Sequence, residues 1–415
     1  MAKNKTIHTQ LIYKYYQTSA LFLLLTAVLT AYYSIVRLAG FSSNSSLLIG
    51  IIHLGTLGVM TLGFFGLYLR IFATISEVTI NERSLVYLYW LLVWGIIILF
   101  LGLLTTNTIP LGIGAALVII AAFWWAVLYF RWYFQVPGQE RGGALLFGFL
   151  GSLGLLFAVL LGGYLIHGYS LNEVAATARL AHIHIALVGW VSMGLLGVGV
   201  AFRGGEIPIT RSIGALTTTA WGWLIGFGLL GVLMLAGRFH LLLIPAILLL
   251  LGFFLYGYSM PKVGKLGDAD TANSPAPRGI LPFIILGFVG LFATILLGFD
   301  AAMNYPNGQV ALHSGFAIGG WLLMMILLSL LSEMPRTAYA LLQERIADSA
   351  LPDKAAFYTL GGIKILWMLL LLGLLLYLGG IYMGPALQFT GGLVLAATTT
   401  VITALLLTKY RVSGD

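Results

Sequence analysis

Residues 179–190 read RLAHIHIALVGW, a greasy run that carries two histidines, His182 and His184, one residue apart. The surroundings decide what kind of segment holds them. The chain has 415 residues, 60% hydrophobic and only 8% charged. Mean hydropathy is +1.01. A soluble globular protein carries about 25% charged residues, so this composition belongs to an integral membrane protein. Lipid offers backbone N–H and C=O groups no partners, so spanning segments must be helices or closed barrels. No stretch shows the ~10-residue alternation of a barrel strand.

Twelve apolar runs reach the ~20 residues a spanning helix needs. They lie near 17–39, 46–72, 84–105, 110–132, 143–168, 178–202, 212–236, 239–259, 279–299, 308–332, 360–382 and 386–408. The expected fold is therefore all-α and integral to the membrane, with the whole of 1–415 forming one membrane domain. Two connections are longer than the rest. PKVGKLGDADTANSPAPRG, from Pro261, is polar and Pro-rich and reads as a loop. The stretch from Glu333 to Tyr358 has room for a short surface helix between Pro335 and Pro352.

A net charge of +8 raises nucleic acid as a partner, and its distribution argues against that. With the N-terminus in the cytoplasm and helices alternating, seventeen of the 21 Lys and Arg fall inside. Only Arg37, Arg179 and Arg238 fall outside, and Lys364 lies just within a helix. That bias is the positive-inside rule. It predicts both termini on the cytoplasmic side of an inner (cytoplasmic) membrane. The N-terminal stretch is too polar for a secretory signal, and the first apolar run is too long for one. Cysteine is absent, which excludes disulfides, thiolate metal sites and covalently attached c-type haem.

Seven histidines remain to be placed. His8 lies in the N-terminal tail, and His167 and His240 lie near outer helix ends, where a polar ring reaches the interface. The other four, His53, His182, His184 and His313, occupy helices 2, 6 and 10. Each is a few residues past the outer end of its helix, roughly 5–12 Å below the interface at the α-helical rise. His53 and His184 are 131 residues apart, and so are His182 and His313. Glycines keep the same register: Gly58, Gly63 and Gly66 match Gly189, Gly194 and Gly197, and Gly189-Trp190 matches Gly320-Trp321. This pattern predicts three four-helix repeats, about 17–132, 143–259 and 279–408. The glycines also let helices approach closely.

Residues two apart on a helix project about 200° apart. In a ring of three repeats, helix 6 would then serve two neighbours at once. His53 would face His182, and His184 would face His313. Ionisable residues inside a membrane are expensive and usually functional. One alone reads as a packing residue; four at one depth point to ligands. Haem is the leading candidate, since it is flat, apolar and takes imidazole axially. Arg179, one turn above His182, and the other outer cations Arg37 and Arg238 are candidate partners for its propionates, and ordinary snorkelling accounts for them equally well. A bare metal ion fits less well, because histidines two apart on a straight helix cannot converge on one point, and zinc wants about four ligands.

The segment AHIHIALVGWVSMGLLGVG, with HSGFAIGGW at His313, resembles the His-x-His helix of the haem-copper oxidase superfamily, catalytic subunit I, in its nitric oxide reductase and C-family oxidase forms. The resemblance implies twelve helices in three arcs, cytoplasmic termini and one or two haems placed outward. In that family the first histidine of the pair ligates the active-site haem and the second the low-spin haem. This chain departs from the pattern. Its His-x-His stands on helix 6 instead of helix 10, and helix 7 has no histidine to supply the adjacent pair that holds copper. No acid is expected mid-membrane, so carboxylate proton relays are not expected either. Copying the family would pair His53 with His313; the repeat pairing is preferred because it employs all four histidines.

Three functions follow as expectations. The first is a b-type cytochrome that moves electrons near the outer face, with a cytochrome or quinone as donor. The second is an oxidoreductase with five-coordinate haem that binds or reduces O₂ or NO. The third is a haem-handling or transport protein. The lipid bilayer is the expected partner, with additional subunits or a homo-oligomer possible, and no nucleic acid.

Overall fold

The computed structural model describes residues 2–39, 45–75, 78–138, 141, 143–170, 176–201, 214–271, 281–304, 309–345, 351–353, 357 and 360–411. Among them there is no strand. Twelve helices are long and apolar enough to cross a membrane. They are α1 (Thr9–Leu38), α2 (Ser46–Ala73), α3 (Glu82–Thr105), α4 (Thr108–Gln135), α5 (Ala144–Gly168) and α6 (Ala176–Ala201). The remainder are α7 (Gly214–Leu235), α8 (Phe239–Met260), α9 (Leu281–Ala301), α10 (Val310–Glu344), α11 (Ile363–Met383) and α12 (Pro385–Lys409). The twelve spans read from hydropathy are thus present, all helical.

The chain packs as two compact units, each discontinuous in sequence. One comprises Met1–Arg70, Pro275–Thr294 and Ala311–Asp415; the other comprises Ile71–Ser274 and Ile295–Val310.

Within the second unit, α3 and α4 form a tight hairpin over the sequence TNT. Thr106 takes a left-handed conformation, φ 53°, which ends α3. The Asn107 side chain then accepts from the Ile109 N–H at 3.0 Å and starts α4, a side-chain cap of the kind that satisfies orphan N–H groups. Below the turn, Phe72, Trp125, Tyr129 and Trp132 pack edge to face and tilted, with ring centroids 5.0 to 6.0 Å apart.

Glycine decides how closely the histidine-bearing helices approach their neighbours. A Cβ on Gly154 of α5 would lie 2.5 Å from the carbonyl carbon of Gly189 on α6. In the first unit, a Cβ on Gly290 of α9 would lie 2.4 Å from the carbonyl carbon of Gly320 on α10. Gly189 and Gly320 are two of the glycines in register, so their role as close-packing residues is borne out. Because backbone meets backbone, no side chain can rotate away. Gly154→Ala is expected to lose about 1–3 kcal/mol, the usual penalty for overpacking, read as a lower unfolding midpoint of the purified protein in detergent.

Two connections differ from expectation. The polar stretch after Pro261 was expected to be a loop, but its backbone stays helical to Thr271. Extending an existing helix needs no new nucleus, so each added residue gains a bond cheaply. The segment after residue 332 likewise does not leave the helix: it runs unbroken through Pro335 to Arg345. A surface helix separated from α10 is therefore not what forms. The reason is an ionic tie that brings Glu333 inside. Glu333 is 1% exposed and Arg336 7%. Arg336 donates to Glu333 Oε1 at 2.8 Å, and Arg70, at the C-terminal end of α2, donates to Glu333 Oε2. Glu333 is thus a buried acid within the α10 helix, just beyond the run 308–332 read as its span.

Candidate functional site

Each of the three histidine-bearing helices changes its winding at the same place. Leu54–Thr61 in α2, Ile185–Ser192 in α6 and Phe316–Leu322 in α10 are π-helical. The three starts, 54, 185 and 316, keep the 131-residue spacing. His53 and His184 are the last α-helical residues before their π segments; Gly315 holds that place in α10. π turns are rare and frequent at functional sites. Hydropathy could not reveal them, because the apolar pattern is equally dense in either winding.

Two of the π segments end on a hydroxyl. Thr61 Oγ1 donates to the Thr56 carbonyl at 3.1 Å, and Ser192 Oγ donates to the Leu187 carbonyl at 2.9 Å. Both reach five residues back, the π spacing. Other helical hydroxyls among the described residues reach four back, as Thr26 does to Phe22, Ser152 to Gly148 and Thr219 to Ala215, or three back, as Thr74 does to Ile71. The third segment ends at Leu322, and the residue in register just after it is Leu323, which has no hydroxyl.

All four imidazoles are held in the same chemical way. Nδ1 of His53 lies 2.8 Å from the Ile49 carbonyl, and Nδ1 of His184 lies 2.9 Å from the Leu180 carbonyl, each one turn back on its own helix. Nδ1 of His182 lies 3.0 Å from the Ala158 carbonyl on α5, and Nδ1 of His313 lies 2.8 Å from the Thr294 carbonyl on α9. A carbonyl oxygen only accepts, so Nδ1 must carry the proton. In the neutral ring Nε2 then holds the lone pair. This is how a metal-ligating histidine is usually oriented, with its second nitrogen donating to a backbone carbonyl. None of the acceptors is a side chain, so sequence alone carried no trace of them.

The register positions also sort by anchor. His182 and His313, the earlier position, lean on the preceding helix; His53 and His184, the later position, bond their own. Helix α5 accommodates the His182 ring through Gly162, where a Cβ would lie 3.1 Å from Cε1. The two places without histidine are filled by packing. Ile51 in α2 is buried, and a Cβ on Gly315 in α10 would lie 2.8 Å from Leu378 Cδ2.

His53 and His313 belong to the first unit, His182 and His184 to the second. All four rings are half-buried. Arg37, Arg179 and Arg238 are exposed. The guanidinium of Arg37 lies over the Phe389 ring at 5.4 Å, a cation–π contact. His167 and His240 are exposed near helix ends, as expected, and Lys364 is exposed in the first turn of α11. Among the described residues, no three His, Asp or Glu side chains converge as they would to hold a bare metal ion. Compared with known proteins, the chain matches no family model and no curated sequence.

Proposed function

We propose that this chain is a multi-pass b-type haem protein of the inner membrane, with both termini cytoplasmic, which transfers electrons near the outer face. His53, His182, His184 and His313 supply the axial imidazoles through Nε2. The observation that carries this reading is the common state of the four rings: every Nδ1 is committed to a backbone carbonyl, in three helices that share one register.

The residues present suit haem better than an ion. Neutral imidazoles within apolar helices are the axial donors that haem takes, whereas a bare ion needs several donors at one point. When bound, haem supplies one-electron redox chemistry. The protein's share is orientation: carbonyls of Ile49, Ala158, Leu180 and Thr294 fix the tautomer and aim the rings. Arg37, Arg179 and Arg238 are the cations on the expected outer side that can meet propionates. The donor would be a cytochrome or a membrane quinol, and further subunits or a second copy would bring it close. The relation to haem-copper oxidase subunit I belongs to this proposal too, without the copper ligands of helix 7.

A pyridine haemochrome assay on purified protein tests the reading. Haem b at one to two per chain is expected, with a reduced spectrum that carbon monoxide leaves unchanged, because iron with two imidazoles has no open position. Protein without haem would overturn the proposal. A large carbon monoxide shift would replace electron transfer with gas chemistry at five-coordinate iron.

A further inference from the structure

The π segments begin directly after the later histidine position, and this suggests what they are for. A π segment fits one extra residue into a helix. It therefore turns everything on one side of it by about one residue step, roughly 100°, relative to a continuous α-helix. In α2 and α6 the part so turned is the N-terminal end that carries the imidazoles. The remainder of each helix is locked by close packing and bonding: a Cβ on Gly66 of α2 would lie 3.0 Å from Tyr15 Cβ of α1, and the Leu196 carbonyl of α6 accepts from the Tyr256 hydroxyl of α8 at 3.0 Å. Hence the direction of each histidine is set by whether the intervening turn closes five residues back or four.

Thr61 and Ser192 bear on that choice. In an α-helix a Ser or Thr hydroxyl bonds the carbonyl three or four residues back. Here both hydroxyls bond the carbonyl five back, adding a second donor to the acceptor that defines the π turn. In α2 the segment has a further brace, Ser19 Oγ of α1 donating to the Val59 carbonyl at 2.7 Å. We infer that Thr61 and Ser192 are positioning residues that hold the π turns of α2 and α6 and thereby aim His53 and His184 at iron. The inference rests on the haem reading given above and adds to it the residues that set ligand direction.

The test uses the purified holoprotein and the low-spin electron paramagnetic resonance signal of each ferric haem, which depends on the orientation of the axial imidazole planes. His53→Ala and His184→Ala first identify which signal each histidine supports. Thr61→Val is then expected to shift the g values of the signal that His53→Ala removes. Ser192→Ala is expected to shift the one that His184→Ala removes. The haem-to-protein ratio stays unchanged in both. Thr61→Ser and Ser192→Thr keep the wild-type signals, since the two positions already use either hydroxyl. Ser329→Ala is the control: its hydroxyl bonds Met325 four residues back, in ordinary α-helix, and its loss shifts nothing. Unmoved signals in both hydroxyl-deleted variants, or an equal shift in the Ser329 control, would overturn the positioning role while leaving the haem assignment intact. Wild-type protein lacking haem would remove both.

Discussion

His184→Ala is expected to leave a folded protein that has lost one haem and kept the other. The alanine removes Nε2 as ligand and takes one side-chain donor from the Leu180 carbonyl of the same α-helix, so the local backbone has little reason to change. The ring is half-buried and its Nδ1 bonds a carbonyl of its own helix; losing that bond strips no donor from the backbone of a neighbouring helix. His182→Ala differs in this respect, since it also strips a donor from the Ala158 carbonyl of α5, so its loss combines a ligand with a helix–helix bond. His167→Ala should change nothing, because that ring is exposed near the end of α5. Haem content by pyridine haemochrome, beside the reduced spectrum, measures all three. Loss of both haems on His184→Ala, or of neither, would refute the assignment of separate sites to the two histidines of α6.

What the sequence disclosed follows from which interactions are local. The twelve spans depend only on apolar run length, and ten were read within a few residues; the first helix begins earlier, at Thr9, and the tenth runs on to Glu344. The glycines at 189 and 320 were legible as close-packing residues because their register repeats. The π turns were not: they depend on a competition between carbonyls four and five residues back, decided by contacts such as Ser19 with the Val59 carbonyl, on a different helix. Imidazole direction was only half legible. That His182 and His184 diverge follows from helix geometry; that His182 leans on α5 depends on a glycine at 162 and a carbonyl at 158, which no motif marks. By run length the tenth span stops at 332, so Glu333 falls in the connection that follows. Its partner on α2 is 263 residues away in sequence, beyond the reach of any local reading.

That buried acid supports the second large effect, a loss of stability on Glu333→Ala. Both carboxylate oxygens are engaged, Oε1 by Arg336 and Oε2 by Arg70. Glu333 is 1% exposed and Arg336 7%, so water screens neither well. Removing one partner of a buried ionic group costs about 3–5 kcal/mol, since the charges left behind stay desolvated. Arg70 is 18% exposed, so part of its charge can be recovered by solvent and the lower end of that range is expected. The Tyr16 hydroxyl, buried beside the cluster with no hydrogen-bond partner, cannot replace the carboxylate: it is neutral and offers no second oxygen. The same physics predicts that the damage lies in the imbalance rather than in the lost contacts. A triple variant, Arg70→Met, Glu333→Leu and Arg336→Met, exchanges the whole cluster for apolar side chains, and it should be more stable than Glu333→Ala alone despite changing three residues. Unfolding midpoints in detergent, with haem absorbance followed in parallel, make the comparison. If the triple variant proves the weaker of the two, the cluster stabilises the packing of the C-terminal end of α2 on α10 by its attraction, and the desolvation argument fails.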